Sequence, residues 1–306
     1  MWAGRLISPL PMAPSSNLTP LYTIFYKLLS GLPFVATLVA FLLNLAAGAL
    51  INNLLYERHL LQYNTLLPMF IYIVTTSMIP QGQTLNPMFF VNILIIWMFY
   101  YLICTDTKFK LTSKQILDSA LLLSISTLLY FPAITLAVPF LIIFIIIYRL
   151  YNVKDIVSLL LGFFAPYVVI FTYTFMTDQT LSYLKSMGYL LSHPILINGT
   201  GSTIQLVLYS FFILFLLYGI IYLLNYSRNQ TIIFRNNATI VSIILVSSIS
   251  LVFFCPHFSI ETQAFAIPFA FIANLWIFGK HIKPWIPNAI LTVWTLLSIL
   301  CCYLPF

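Results

Sequence analysis

The sequence predicts an all-α protein, a polytopic transmembrane helical bundle of about 10 membrane helices, on three observations. Apolar runs of about 17–25 residues, the length that crosses a bilayer, recur from Gly31 to the C-terminus. Hydrophobic residues fill 61% of the 306 positions and charged residues 6%, against roughly 25% charged in a soluble domain. No soluble interior hides that much apolar surface. Short alternating strands of the outer-membrane barrel kind are missing from the pattern. The whole chain, residues 1–306, reads as one integral membrane domain.

Residues 1–30 carry no signal-peptide pattern, since no basic start runs into an apolar core and a small-residue cleavage site. They read as an outer-face interfacial segment with a helix from Leu21 to Leu29, placing Tyr22 and Tyr26 at headgroup level. Arg5 and Lys27 then stand on the outer side, which suggests one further helix upstream in the natural protein. Membrane helices follow at about 31–54, 64–79, 87–104, 117–131, 132–148, 156–177, 204–226, 237–254, 262–279 and 284–303.

The fourth and fifth of these, within 117–148, are read as a short hairpin turning at Phe131-Pro132 rather than one kinked helix. Charge selects the hairpin. With two passes, Arg58, Lys108, Lys110, Lys114, Arg149, Lys154, Arg228, Arg235, Lys280 and Lys283 share one side, and Lys185 alone occupies the opposite loops. With one pass the same charges divide five against six. Each arm has about 15 residues, or about 22 Å, short of a hydrocarbon core of roughly 30 Å. Such arms are covered by longer helices, either around an outward cavity or in a tightly packed hairpin.

The longest polar loop, residues 178–203, falls on the outer face. Leu181, Leu184, Met187 and Leu191 recur at helical spacing, so it reads either as a horizontal helix with Lys185 turned to water or as a solvated connector. The net charge of +7 is a topology signal, because its Lys and Arg are scattered between apolar segments. Nucleic acid is not an expected partner; the bilayer is. Cys104, Cys255, Cys301 and Cys302 have no metal-ligand spacing, so they read as apolar packing residues and no metal is expected. No Walker A, GxSxG, HExxH or Rossmann glycine pattern occurs, and no cofactor is indicated.

Polar residues on the outer side are the candidates for chemistry. They are Gln81, Gln83 and Asn86 in "PQGQTLNP", Asp178, Lys185 and His193 in or beside the long loop, and His257, Glu261 and Gln263 in "CPHFSIETQ". Asp178 and Glu261 are the acids on that side, with the residue types for acid/base work, and His257 is the type that assists it. Lys185, Gln81, Gln83 and His193 are the types that hold a phosphate or a polar headgroup. Glu261 has a second reading, as part of a helix-capping "SIET" sequence begun by Ser259.

The runs "INNLLYERHLLQYNTLLPMFIYIVTTSMIPQ", "LNPMFFVNILIIWMFYYLI", "LLYFPAITL" and "RLYNVKDIVSLLLGFFAPY" resemble an uncharacterised family of polytopic inner-membrane proteins of Bacteroidota. The short "YFP" hairpin and the outer horizontal helix are also similar to polyprenyl-phosphate-sugar glycosyltransferases and O-antigen-polymerase-like proteins. This chain departs from the glycosyltransferase pattern, which places an acid in the first large outer loop, because residues 1–56 contain none. The resemblance implies a multi-pass protein of the bacterial inner (cytoplasmic) membrane, handling a polyprenyl-linked sugar or lipid in cell-envelope glycan assembly. The alternatives are a non-catalytic membrane subunit packed against a protein partner, and a passive carrier. The carrier is the less favoured, since no helix interior carries a charge couple.

Overall fold

A computed structural model describes residues 2–12, 20–58, 60, 65–78, 80–103, 111–148, 152–178, 180–181, 184–185, 203–228, 230–254, 262–277 and 285–303. Among the described residues there are twelve α-helices and no strand. They are α1 (Trp2–Ile7), α2 (Pro20–Leu29), α3 (Pro33–Glu57), α4 (Leu67–Thr76), α5 (Pro87–Leu102) and α6 (Ser113–Leu129). After these come α7 (Ala137–Ile142), α8 (Val153–Met176), α9 (Thr203–Arg228), α10 (Ile232–Phe254), α11 (Ala266–Ile277) and α12 (Trp285–Tyr303). By length and composition two of the described helices, α3 and α8, are able to cross a membrane.

Local chemistry sets the helix starts. Proline occupies the first turn of α3, α4 and α5, where its missing N–H costs nothing and its fixed φ suits the helix. Asn86 caps α5 by accepting a hydrogen bond from the Met88 N–H at 3.1 Å. Thr112 and Gln115 form a reciprocal capping box on α6, with the Gln115 side chain taking the Thr112 N–H at 2.9 Å.

Contacts along α6 give the chain direction. Ser113 donates to Asp155 at 2.7 Å, Gly162 packs against Leu117 and Ala120, and Thr127 bonds Tyr167 at 2.6 Å. The pairs ascend together, so α6 and α8 lie parallel. Parallel neighbours need a returning segment between them. That segment is 131–148, at whose end the Tyr148 hydroxyl donates to the Leu102 carbonyl, beside the start of α6. The chain doubles back at Tyr130-Phe131, in keeping with the charge count.

The returning arm is not the uniform helix expected over 132–148. It is a 3-10 segment (Phe131–Leu136), one short α-helix and a π turn (Ile143–Ile147). Pro132 and Pro139 interrupt the hydrogen-bond ladder and give this uneven winding its physical cause. Tyr130, Phe131 and Ala133 at the bend are buried, and the gap beside the arm, lined by Leu136, Phe140 and Ile267, holds only about 10 Å³. Among the described residues the bend is closely packed. The second helix is likewise shorter than 64–79, ending at Thr76 before a separate 3-10 turn, Pro80–Gln83.

The core gathers apolar residues from α3, α4, α5, α6, the returning arm, α10 and α11. A smaller cluster joins Trp2, Met12 and Tyr22 to Ala36, Ala40, Leu85 and Phe89. The N-terminal segment therefore docks on the bundle. Tyr22 is turned inward rather than to headgroup level: it is buried, and its hydroxyl donates to the Leu85 carbonyl at 3.0 Å. Phe25 stacks on Phe90 of α5 with ring centroids 4.7 Å apart.

The bundle has two chemically distinct ends. One carries Arg58, which donates to the Tyr100 carbonyl and lies 4.1 Å over the Tyr100 ring, together with Leu102, Ser113, Tyr148 and Asp155. The other carries Trp2, Arg5, Ser77, Gln83 and Asn86.

Candidate functional site

Amides and hydroxyls in otherwise apolar helices are expensive unless they bond one another. Around the end of α4 and the Pro80–Gln83 turn they do so in a continuous layer. Asn44, in the middle of α3, accepts from the Thr76 hydroxyl at 2.8 Å and donates to Ser77 Oγ at 3.2 Å. Ser77 Oγ also accepts the Trp2 indole N–H at 2.8 Å. Gln83 donates to the Ser77 carbonyl at 2.8 Å and accepts from Arg5 Nε at 3.2 Å. All of these side chains except Arg5 are buried.

The layer exists because the chain turns sharply after α4. The Pro80–Gln83 turn folds back over Ser77, and Gly82 meets the Thr76 carbonyl so closely that a Cβ would stand 2.3 Å from it. Only glycine permits that approach. The same imagined Cβ would lie 3.0 Å from Gln263 Nε2, which brings the Thr262–Phe265 turn to the layer. Asn92, one turn and a half into α5, donates to the Tyr72 hydroxyl at 3.2 Å and to the Gln263 carbonyl at 3.4 Å.

Three polar atoms here are buried without a hydrogen-bond partner: Asn92 Oδ1, Gln263 Oε1 and Gln263 Nε2. Asn92 is 0% exposed and Gln263 2%. An unpaired buried polar atom costs about 1–3 kcal/mol, and both amide atoms of Asn274 share this state.

The sequence candidates divide three ways. Gln83 lies inside the layer, and the backbone of Gln81 belongs to the same turn. Asp178 is exposed just beyond α8, in the left-handed region at φ 54°, on the Thr127–Tyr167 side of the bundle and thus the same end as the layer. Lys185 is exposed. His193, His257, Glu261 and Ser259 lie outside the described residues. Gln83 and Asn86 lie in and just after the turn that Gly82 brings against Gln263, and Asp178 is not among the described contacts of this layer.

Sequence reasoning passed over Trp2, Asn44, Thr76, Ser77, Gly82 and Asn92. Asn44 and Asn92 did carry a signal, as lone amides within apolar runs long enough to span a bilayer. Among the described residues the layer's side chains are amides and hydroxyls with the Trp2 indole and one cation, Arg5, groups that suit hydrogen bonding to a polar group. No group of three or more His, Cys, Asp or Glu that could hold a metal occurs among the described residues. Against protein-family models, curated proteins and solved structures, the chain matches none.

Proposed function

We propose that this chain is a multi-pass integral protein of about ten membrane-embedded helices, and that its polar end handles the headgroup of a lipid-linked sugar. The observation that carries the membrane half is α8: 24 residues at mean hydropathy 2.1, with 11% of its most apolar stretch buried inside the protein. A soluble protein buries such a helix; lipid is the solvent that suits it exposed. The shorter apolar helices, such as the 10 residues of α4, extend about 15 Å, and α4 is packed between α3 and α11, as short segments at membrane depth must be covered.

The headgroup half rests on the hydrogen-bonding layer, whose amides and hydroxyls match neutral polyols, and on Arg5 beside it, which matches a phosphate. The substrate class is a polyprenyl-linked sugar and the site is the outer face of a bacterial cytoplasmic membrane, with the positively charged end inside. Glu261 and Asp178 are the proposed acid/base groups, His257 assists, and Lys185 steers phosphate.

Reconstitution in vesicles of phosphatidylethanolamine and phosphatidylglycerol tests this reading. The protein is expected to resist alkaline carbonate extraction, to retain a polyprenyl-phosphate sugar in preference to the bare polyprenyl phosphate, and to lose turnover but not abundance in Glu261→Gln. Extraction by carbonate, or equal retention of both lipids, overturns it. Full turnover in Glu261→Gln removes the catalytic assignment and leaves a binding subunit.

A further inference from the structure

The first helix, α1, is built inside out. Trp2 and Arg5, about one turn apart, face the protein and donate to Ser77 Oγ at 2.8 Å and to Gln83 Oε1 at 3.2 Å. The residues turned away are apolar: Ala3 and Ile7 share the other face and are exposed, Ile7 by 86%, and Leu10 and Pro11 continue the exposed run. Ser8 supplies the hydroxyl in that run, and it donates back to the Gly4 carbonyl at 2.9 Å. In water the polar face of such a helix turns outward. A segment with its polar bonds inward and its hydrocarbon outward suits lipid as its surroundings. The second helix, α2, packed into the same cluster, exposes Ile24 and Leu28 together with Lys27, the composition of a bilayer boundary.

Arg5 then carries a full charge beside hydrocarbon, where a cation is costly without an anion to meet it. Its Nε is engaged by Gln83, which is 1% exposed and is itself anchored by a bond to the Ser77 carbonyl at 2.8 Å. The guanidinium plane is thus held from behind. Arg5 is half-buried and its Nη groups are not among the buried unpaired atoms, which leaves their N–H donors at the surface, reached without opening the bundle. Parallel N–H groups on a fixed guanidinium match the oxygens of a phosphate, and the apolar residues of the same segment match a hydrocarbon tail. We propose that residues 2–12 form a clamp for a lipid phosphate, in which Arg5 binds the phosphate, Gln83 positions Arg5, Trp2 anchors the segment, and Ile7 and Leu10 lie in the lipid. The clamp rests on the assignment of Arg5 to phosphate above and needs no sugar.

The experiment uses the full chain in octaethylene glycol monododecyl ether, a detergent without phosphate or sugar, and reads bound lipid by native mass spectrometry. Farnesyl phosphate is expected to bind about tenfold or more tighter than farnesol, as a charge-assisted pair implies. Arg5→Gln is expected to abolish that preference. Arg5→Lys keeps the charge but has no planar fork to bond Gln83 and phosphate together, and is expected to keep only part of it. Gln83→Met, which leaves Arg5 in place but unheld, is expected to lower the phosphate preference and leave farnesol binding unchanged. In phosphatidylcholine vesicles, a nitroxide on Ile7→Cys is expected to meet dissolved oxygen more often than a water-soluble nickel chelate. A phosphate preference that survives in Arg5→Gln, or a nitroxide that favours the nickel chelate, overturns the clamp. Displacement of farnesyl phosphate by millimolar inorganic phosphate also overturns it, by showing a site for a free anion. The sugar is read separately: if Arg5→Gln abolishes the phosphate preference while the native protein holds a farnesyl phosphate sugar no better than farnesyl phosphate, the clamp stands and the headgroup reading falls.

Discussion

Trp2 and Ser77, 75 residues apart in sequence, are joined by an indole N–H bond of 2.8 Å to the hydroxyl oxygen that Asn44 also reaches. The Trp2 ring packs against Phe41 and Phe89, with centroids 5.4 and 6.5 Å away. These two contributions separate by mutation. Trp2→Phe keeps the ring contacts and loses the bond, which is expected to cost about 1 kcal/mol. Trp2→Ala loses both, about 3 kcal/mol or more. Unfolding by denaturant in detergent measures them; wild-type stability in Trp2→Phe would mean that the indole nitrogen contributes nothing to the docking.

Tyr22 in α2, outside the two helices long enough to cross a membrane, gives a pH signature. Burial, and secondarily the neighbouring Tyr26, pushes its phenol above the usual range. In the unfolded chain it ionises near pH 10 (about 10), so above that pH the folded state binds more protons than the unfolded state and stability falls as pH rises. Below that pH the contribution is complete. Tyr22→Phe is expected to be less stable at neutral pH, having lost the bond to Leu85, and to decline less steeply between about pH 9 and about pH 12. Parallel alkaline slopes for the two proteins would count against a buried phenol.

The start of α5 was legible because Asn86-Pro87 announces it within two residues, whereas the Thr112–Gln115 capping box was passed over and α6 begins at Ser113 rather than 117. The doubling back at Phe131 was legible through charge, a property of the whole chain that does not depend on contacts. The polar layer was not. Gln83 is buried because Arg5, 78 positions earlier, and Ser77 cover it, and Tyr22 turns inward because Leu85 offers a carbonyl 63 positions on. No pattern within a helix encodes partners at that separation. The uneven winding of the returning arm was hidden for a related reason, since Pro132 and Pro139 announce a break without saying whether the ladder tightens or loosens.

At Gly162 α8 lies close against α6. A Cβ there would lie 2.6 Å from the Leu117 carbonyl oxygen and 2.9 Å from the Ala120 methyl, one of them immovable backbone. Gly162→Val is therefore expected to push the helices apart and destabilise by about 2 kcal/mol or more. Ala120→Gly relieves only the methyl clash, so the double variant recovers a fraction of the loss. Thermal unfolding in detergent gives both values. Wild-type stability in Gly162→Val would show that the two helices are not packed through this face.

The parallel arrangement of α6 and α8 makes a prediction about sidedness that needs no assumption on substrate. The Ser113 bond to Asp155 fixes the two helix starts at one end, so the adjacent exposed residues Lys114 and Lys154 must share a side of the membrane. On the proposed multi-pass topology the chain satisfies this by crossing twice between them, once in α6 and once in the returning arm. Asp178, beyond the far end of α8, places the loop containing Lys185 on the other side. In a background lacking the four native cysteines, Lys114→Cys and Lys154→Cys are expected to be shielded from a membrane-impermeant maleimide in intact cells and to react after lysis. Lys185→Cys is expected to react in intact cells. If the cysteines at 114 and 154 differ in accessibility, the segment 131–148 crosses without returning, the charges divide five against six, and the polar layer loses its assignment to the outer face.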